Sequence, residues 1–347
     1  MQTKKTNKGK TSTIKLKASP SRKQTLAKRP TAQDLQRSTP IDTAPISETK
    51  TQSPALPSTS KPEGTISSSA SSASESTGTD NGIESTRKFW NEHPCDGDFD
   101  TNEQRLRYRF LKDYYIPSII EKNIPSGGEV LEIGCGQGAD MSLLAKKADR
   151  VTGVDLTPEG VARAAKFLEE VGVKNAVVLV ANAEKLPFRD AMFDSVYSFG
   201  VMHHTDGTQA CVDEAYRVLK PGGTAVIMLY RFWSPQFLVS KTLRGVTYPL
   251  RKALASFFST KMFRNSRFWG TAPSELFGVP YFKAYSEKEI KKMFHNFKSI
   301  SVERWNTGFA RLRLLTPDSP RLLRTWDALE DATRDKLGFF NVIVAKK

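Results

Sequence analysis

Glu132-Ile133-Gly134-Cys135-Gly136-Gln137-Gly138-Ala139-Asp140 is the stretch that decides how the chain is read. Upstream of it, Glu129–Ile133 is a short apolar run that reads as a buried strand. Downstream, Ala139–Lys147 reads as a helix. Three glycines at alternate positions let the backbone turn tightly and approach a ligand closely, with a helix N-terminus starting beneath it.

The chain continues in the same rhythm. Val151–Val154 reads as a second strand, and Thr157 is a good N-cap with Pro158 at the first helical position. Val161, Ala165, Leu168 and Val171 mark the buried side of that helix, and Gly172 stops it. Ala176–Val180 is a third strand and Ser195–Phe199 a fourth. A helix over Thr208–Leu219 ends at Lys220-Pro221-Gly222-Gly223, and Thr224–Tyr230 is a fifth strand. Strand–helix alternation of this kind predicts an α/β fold, a parallel Rossmann-like sheet with helices on both faces.

Such sheets bind ligands at the carboxyl ends of their strands. Gly134-x-Gly136-x-x-Ala139 satisfies the loose dinucleotide fingerprint, and Asp155 lies 21 residues past Gly134, at the end of the second strand. A carboxylate there can grip two ribose hydroxyls. Loop and acid together indicate an adenosine-bearing cofactor without choosing between NAD and S-adenosylmethionine.

The downstream residues choose. Over about residues 125–230 the sequence resembles the class I S-adenosylmethionine-dependent methyltransferases. The family's acidic-x-G-x-G-x-G motif falls on Glu132, Gly134, Gly136 and Gly138, with Cys135 and Asp140 beside it, and its ribose acid falls on Asp155, followed by Leu156. Its adenine segment, usually D-A-x-x-L-P-F, reads Asn182-Ala183-Glu184-Lys185-Leu186-Pro187-Phe188. The family's Asp is Asn182 here; its carbonyl can still accept from the adenine amino group. Phe193-Asp194, then Phe199-Gly200-Val201-Met202-His203-His204, then Leu219-Lys220-Pro221-Gly222-Gly223 complete the series. The resemblance implies S-adenosyl-L-methionine as cofactor and a seven-stranded sheet with a reversed last strand. Ser299–Trp305 and Phe339–Ala345 are the expected sixth and seventh strands. The small-molecule group related to quinone and sterol enzymes is nearest, through Trp90-Asn91-Glu92-His93-Pro94-Cys95 and Tyr281–Ser286.

The expected chemistry is in-line displacement at a sulfonium carbon, in which the protein positions and desolvates and no metal is required. A hydroxyl acceptor would need a general base, and His203 and His204 at the mouth of the fourth strand are the candidates. His93 is a further one if the N-terminal helices fold over the cofactor. Cys135 reads as a small residue in a tight turn.

The net charge is +15, but it is unevenly placed. Residues 1–37 hold 11 basic side chains and 1 acidic, and residues 231–270 hold 8 basic and none acidic. No aromatic residue precedes Phe89. A segment rich in Ser, Thr, Pro and Lys without aromatics cannot bury enough apolar surface to offset its ordering entropy, so residues 1–86 are expected to be a disordered basic tail. Residues 87–347 form the expected methyltransferase domain, with lid helices at 87–125 and a basic aromatic cap at 231–285. The cap reads as a helical cover with a solvated basic side, as a surface for an anionic membrane, or as a grip on a phosphorylated or nucleic-acid substrate.

Three widely spaced cysteines, Cys95, Cys135 and Cys211, exclude a disulfide scaffold and suit a reducing compartment, hence a cytoplasmic expectation. The tail leaves organelle targeting and the nucleus open. No apolar run reaches the ~18 residues of a bilayer span. The expected function is methyl transfer to a small-molecule or lipid-like acceptor. The alternative is an RNA or protein acceptor held by the basic tail.

Overall fold

A computed structural model describes residues 77–95, 99–258 and 276–347. The chain divides into residues 1–68 and 69–347, and all described residues lie in the second unit. Most of the expected tail, and Lys261, Arg264 and Arg267 of the cap, therefore lie outside the described residues.

The sheet has seven strands: β1 (Glu129–Ile133), β2 (Arg150–Asp155), β3 (Ala176–Val180), β4 (Phe193–Phe199), β5 (Leu219–Tyr230), β6 (Ser299–Trp305) and β7 (Phe340–Lys346). Their spatial order is β3-β2-β1-β4-β5-β7-β6. β1 to β5 pair in parallel, while β7 runs antiparallel to both β5 and β6. This is the Rossmann-like sheet with a reversed last strand. The order turns back between β1 and β4, where the carboxyl ends of neighbouring strands part and leave a crevice for a ligand.

Period-two alternation sets the two cores. In β1, Val130 belongs to one apolar cluster, while Leu131 and Ile133 belong to the other. The first cluster packs under α2 (Asn102–Lys112), α3 (Ile116–Asn123), α4 (Met141–Leu144) and α5 (Pro158–Glu170) through Tyr115, Ile119, Leu144 and Phe167. The second packs under α6 (Thr208–Val218) and α9 (Glu287–Met293) through Cys211, Ala215 and Ile290. Glu132 alternates to the side of Val130, opposite Tyr197 of β4.

Local chemistry explains the boundaries. Thr157 caps α5 by accepting from Gly160 N at 3.1 Å, with Pro158 in the first turn, as expected. The helix expected over 139–147 is shorter. Only Met141–Leu144 is α-helical, and beyond its end the carbonyls of Ala145 and Ala148 accept from Asn175 Nδ2 at 2.9 and 3.0 Å. β5 starts five residues before Thr224. Leu219 pairs with Phe193 and Thr224 with Ser195, so Pro221-Gly222-Gly223 is accommodated as a bulge, with Gly222 at φ 81. β3 is the sheet edge, and Val177 and Val180 are exposed.

The first described helix, α1 (Thr77–Glu92), begins upstream of the residue-87 boundary drawn from the aromatics. Ile83, Thr86 and Trp90 lie three and four apart on one face and line the central cavity. A Cβ on Gly82 would meet Tyr281 Oη at 2.5 Å. Glycine therefore permits a close approach that a search for aromatic anchors does not register. The cap contributes α7 (Pro235–Val246) and α8 (Arg251–Phe258), and the last helix, α10 (Pro320–Leu337), precedes β7.

Candidate cofactor and acceptor site

A cavity of about 770 Å³ opens at the carboxyl ends of the strands. Glu132, Gly134, Cys135, Gly136, Asp140, Asp155, Leu156, Asn182, Ala183, Glu184, Phe199 and His204 all line it. Those twelve were expected from sequence; Gly138 and His203 were also expected and do not line it.

Gly138 works from beneath. Its φ is +82, and a Cβ there would meet Ala164 Cα of α5 at 3.3 Å. It allows the loop to sit on the helix and makes no wall of its own. His203 is fully buried, with its ring centroid 3.7 Å from that of Tyr230 and 4.3 Å from that of His204. Burial, then His204, push its pKa well below the usual histidine value, so it is a neutral packing ring.

His204 is placed differently. Nδ1 donates to the Tyr281 carbonyl at 3.0 Å, and the Trp90 ring meets it edge-on at 5.1 Å. A donor at Nδ1 puts the lone pair of the neutral ring on Nε2. Trp90 of the first described helix and the Tyr281 carbonyl thus hold one imidazole between them. His93 stays with its own helix, its ring stacked on Phe89 at 4.6 Å and Nδ1 at 2.9 Å from the Phe89 carbonyl.

Asp155 ties the loop together. Oδ2 accepts from Gly136 N at 2.9 Å, while Oδ1 accepts from Thr157 N and Oγ1 at 2.9 and 2.7 Å. One carboxylate thereby joins the glycine loop to the N-cap of α5. Gly134 has φ +77, and a Cβ there would collide with the Val201 side chain, so only glycine fits this step. Burial raises the Cys135 thiol pKa, so it stays protonated in its tight turn.

Glu132 is buried with an Oε2 that has no hydrogen-bond partner. Burial first, then Asp140, raise its pKa well above the carboxylate range, against the opposing charge of Arg109. Asp140 itself is fully engaged. It accepts from Arg109 Nε and Nη2 at 3.0 and 2.7 Å and from Tyr197 Oη at 2.9 Å. Arg109 also bonds Asp113 at 3.0 Å.

The Asn182–Phe188 segment expected to meet adenine is a braced turn. Asn182 Oδ1 accepts from Glu184 N at 2.9 Å, and Glu184 Oε1 accepts from Thr205 Oγ1 and from Gly207 N at 3.3 Å. The Asn182 carbonyl is occupied by that turn.

Sequence reasoning missed Arg109, Gln137 and Asn306. All three line the cavity. Gln137 accepts from Arg105 Nη1 at 3.0 Å and donates to the Cys95 carbonyl, stitching α2 and the turn at Cys95 to the glycine loop. Arg105 and Arg109, four apart on a helix preceding the glycine loop, were the available signal. Asn306 lies beyond β6 at φ +64, an αL conformation Asn tolerates. Buried Glu330 holds the same turn through Thr307 N at 3.0 Å.

The cavity thus has an acidic end over β1 to β3 and an aromatic end, with Tyr230, Phe277, Phe282 and Phe340, under the cap. Residues 131–227 match the family model described as a methyltransferase domain. Residues 131–227 therefore carry a methyltransferase domain.

Curated relatives of this methyltransferase domain agree. A probable S-adenosylmethionine-dependent methyltransferase of Mycolicibacterium smegmatis is 35% identical over 102 residues, 29% of this chain and 38% of the relative. A ubiquinone biosynthesis O-methyltransferase of Xylella fastidiosa is 34% identical over 105 residues, 30% and 43% respectively. An uncharacterized protein of Methanocaldococcus jannaschii is 33% identical over 137 residues, 39% and 50%. The chain spans about half the length of these relatives or less. The orphaned Glu132 oxygen at the acidic end suits a cationic cofactor.

Proposed function

We propose that the protein transfers a methyl group from S-adenosylmethionine to a small-molecule or lipid-like acceptor by in-line displacement. The observation that carries this reading is the two-ended cavity, acidic at the glycine loop and aromatic below α7. Its 770 Å³ matches small-ligand pockets, which run to roughly 1,000 Å³. The cofactor supplies an activated methyl group on a sulfonium. Asp155 would hold the ribose hydroxyls, and Glu132 the cationic amino acid end. Because Asn182 Oδ1 already caps its turn, the Asn182 amide would offer adenine its Nδ2 donor, reversing the polarity first expected.

The aromatic walls would exclude water from the transfer path, with Ile83, Thr86 and Trp90 of α1 in the same lining. For a hydroxyl acceptor, His204 Nε2 would take the proton as the new bond to carbon forms. A quinone-related acceptor accords with the Xylella relative, an enzyme of ubiquinone biosynthesis. No helix among the described residues is long and apolar enough to cross a membrane.

Calorimetry with S-adenosylhomocysteine tests the cofactor half, and labelled S-adenosylmethionine offered with a small-molecule extract tests the acceptor half. Binding and transfer of label to an organic-soluble product are expected. Absence of binding to the full chain overturns the reading. Label appearing on RNA or protein alone moves it to the macromolecular acceptor.

A further inference from the structure

Helix α7 has three distinct sides. Gln236, Ser240 and Leu243, spaced four and three apart, line the cavity. Phe237 and Arg244 face the body of the domain. Phe237 is buried, and Arg244 donates to the carbonyls of Leu276 and Val279 at 2.5 and 3.1 Å. The third side holds Leu238, Val239, Thr242, Gly245 and Val246, all exposed and none charged. A helix on a protein surface ordinarily turns charged residues to water on that side.

The apolar surface extends beyond the helix. Trp233 is 64% exposed, Val239 67%, Val246 75% and Tyr248 72%, and Leu250 and Phe257 are exposed as well. Residues 231–270 carry eight basic side chains and no acidic one. Lys241 borders the apolar side, its Nζ 5.4 Å from the Phe232 ring centroid.

We propose that this face docks on an anionic lipid bilayer. Exposed aromatic and aliphatic side chains bordered by Lys241, in a stretch with eight basic residues and no acidic one, match the headgroup boundary, where apolar groups leave water and cations meet anionic headgroups. Charge decides against a second copy of the chain, because a self-complementary contact would bring the uniformly basic stretches together. A nucleic acid would neutralise the charge but leave Val239, Val246 and Leu250 unburied. The location adds a consequence. Leu243 belongs both to the exposed set and to the cavity wall, so an apolar acceptor would pass from the bilayer along α7 into the site. That passage rests on the methyl-transfer reading; the docking does not.

The test uses the full chain with phosphatidylcholine vesicles, with and without phosphatidylglycerol, at low and high salt. The basic N-terminal residues bind by charge alone, so their contribution vanishes at high salt. Wild type is expected to retain binding to phosphatidylglycerol vesicles at high salt, with Trp233 fluorescence shifting blue relative to a Trp233→Phe control. The combined variant Leu238→Ser, Val239→Ser, Val246→Ser is expected to lose about tenfold in affinity while melting like wild type. S-adenosylhomocysteine binding should be unchanged in it. Equal vesicle binding by variant and wild type overturns the proposal, as does absence of binding at high salt. Self-association of wild type that the variant abolishes also overturns it and assigns the face to a second copy. Loss of S-adenosylhomocysteine binding in wild type would sink the methyl-transfer reading and leave the docking result standing.

Discussion

Asp155 Oδ2 accepts a hydrogen bond from the Gly136 backbone N–H at 2.9 Å. The same carboxylate holds Thr157 at the start of α5, so a single side chain aligns the glycine loop with the next helix. In the proposed complex it also receives the ribose hydroxyls.

Asp155→Ala removes both functions. Charge-assisted hydrogen bonds contribute ~1.5–3 kcal/mol each, so S-adenosylhomocysteine affinity should fall about 10- to 100-fold by calorimetry. The melting temperature should fall too, because Thr157 N and Gly136 N lose their acceptor.

Glu132→Gln separates binding from stability. Burial raises the pKa of this carboxyl, so the folded state binds its proton more tightly than the unfolded chain does. Its stability contribution is full below the ordinary carboxylate pKa and is lost as pH rises through the folded value. The neutral amide escapes that loss. Above neutrality the cofactor-free variant should melt at or above the wild-type temperature, and the difference should shrink in acid. S-adenosylhomocysteine should bind the variant more weakly. A lower melting temperature at all pH values would show that Glu132 is a structural brace.

The two histidines should behave differently. His204→Gln is expected to cut turnover on a hydroxyl acceptor by ~10²–10⁴ while S-adenosylhomocysteine affinity stays near wild type. His203 is buried and its pKa is depressed, so protonation favours the unfolded chain. Wild-type stability should therefore fall as pH drops below about 6.5. His203→Leu should flatten that part of the melting-temperature profile.

Arg109→Met should be the most destabilising of these changes. Asp140 and Asp113 are 4% exposed or less, and each takes a hydrogen bond from this guanidinium. Removing one partner of a buried ion pair costs ~3–5 kcal/mol. Thermal melts should show a large drop, partly recovered by adding Asp140→Asn.

The sequence by itself determined the strand–helix alternation, the glycine loop and the place of Asp155 at the end of the second strand. These are local signals: period-two apolar runs, a capped helix start, and glycines where a side chain would clash. Seven strands with a reversed last one were legible only through the family resemblance, and the order β3-β2-β1-β4-β5-β7-β6 only in the structure, since pairing across the chain leaves no local mark. Tertiary structure alone decided which of two adjacent histidines reaches the cavity. His203 and His204 are consecutive in a 3₁₀ turn with ring centroids 4.3 Å apart, yet one ring is sealed against Tyr230 and the other is held by the Tyr281 carbonyl. Packing also recruited Arg109 and Asn306, which lie 23 residues before Glu132 and 174 after it. Their roles come from being folded onto the carboxyl edge of one sheet, and burial there sets the charge each group can carry.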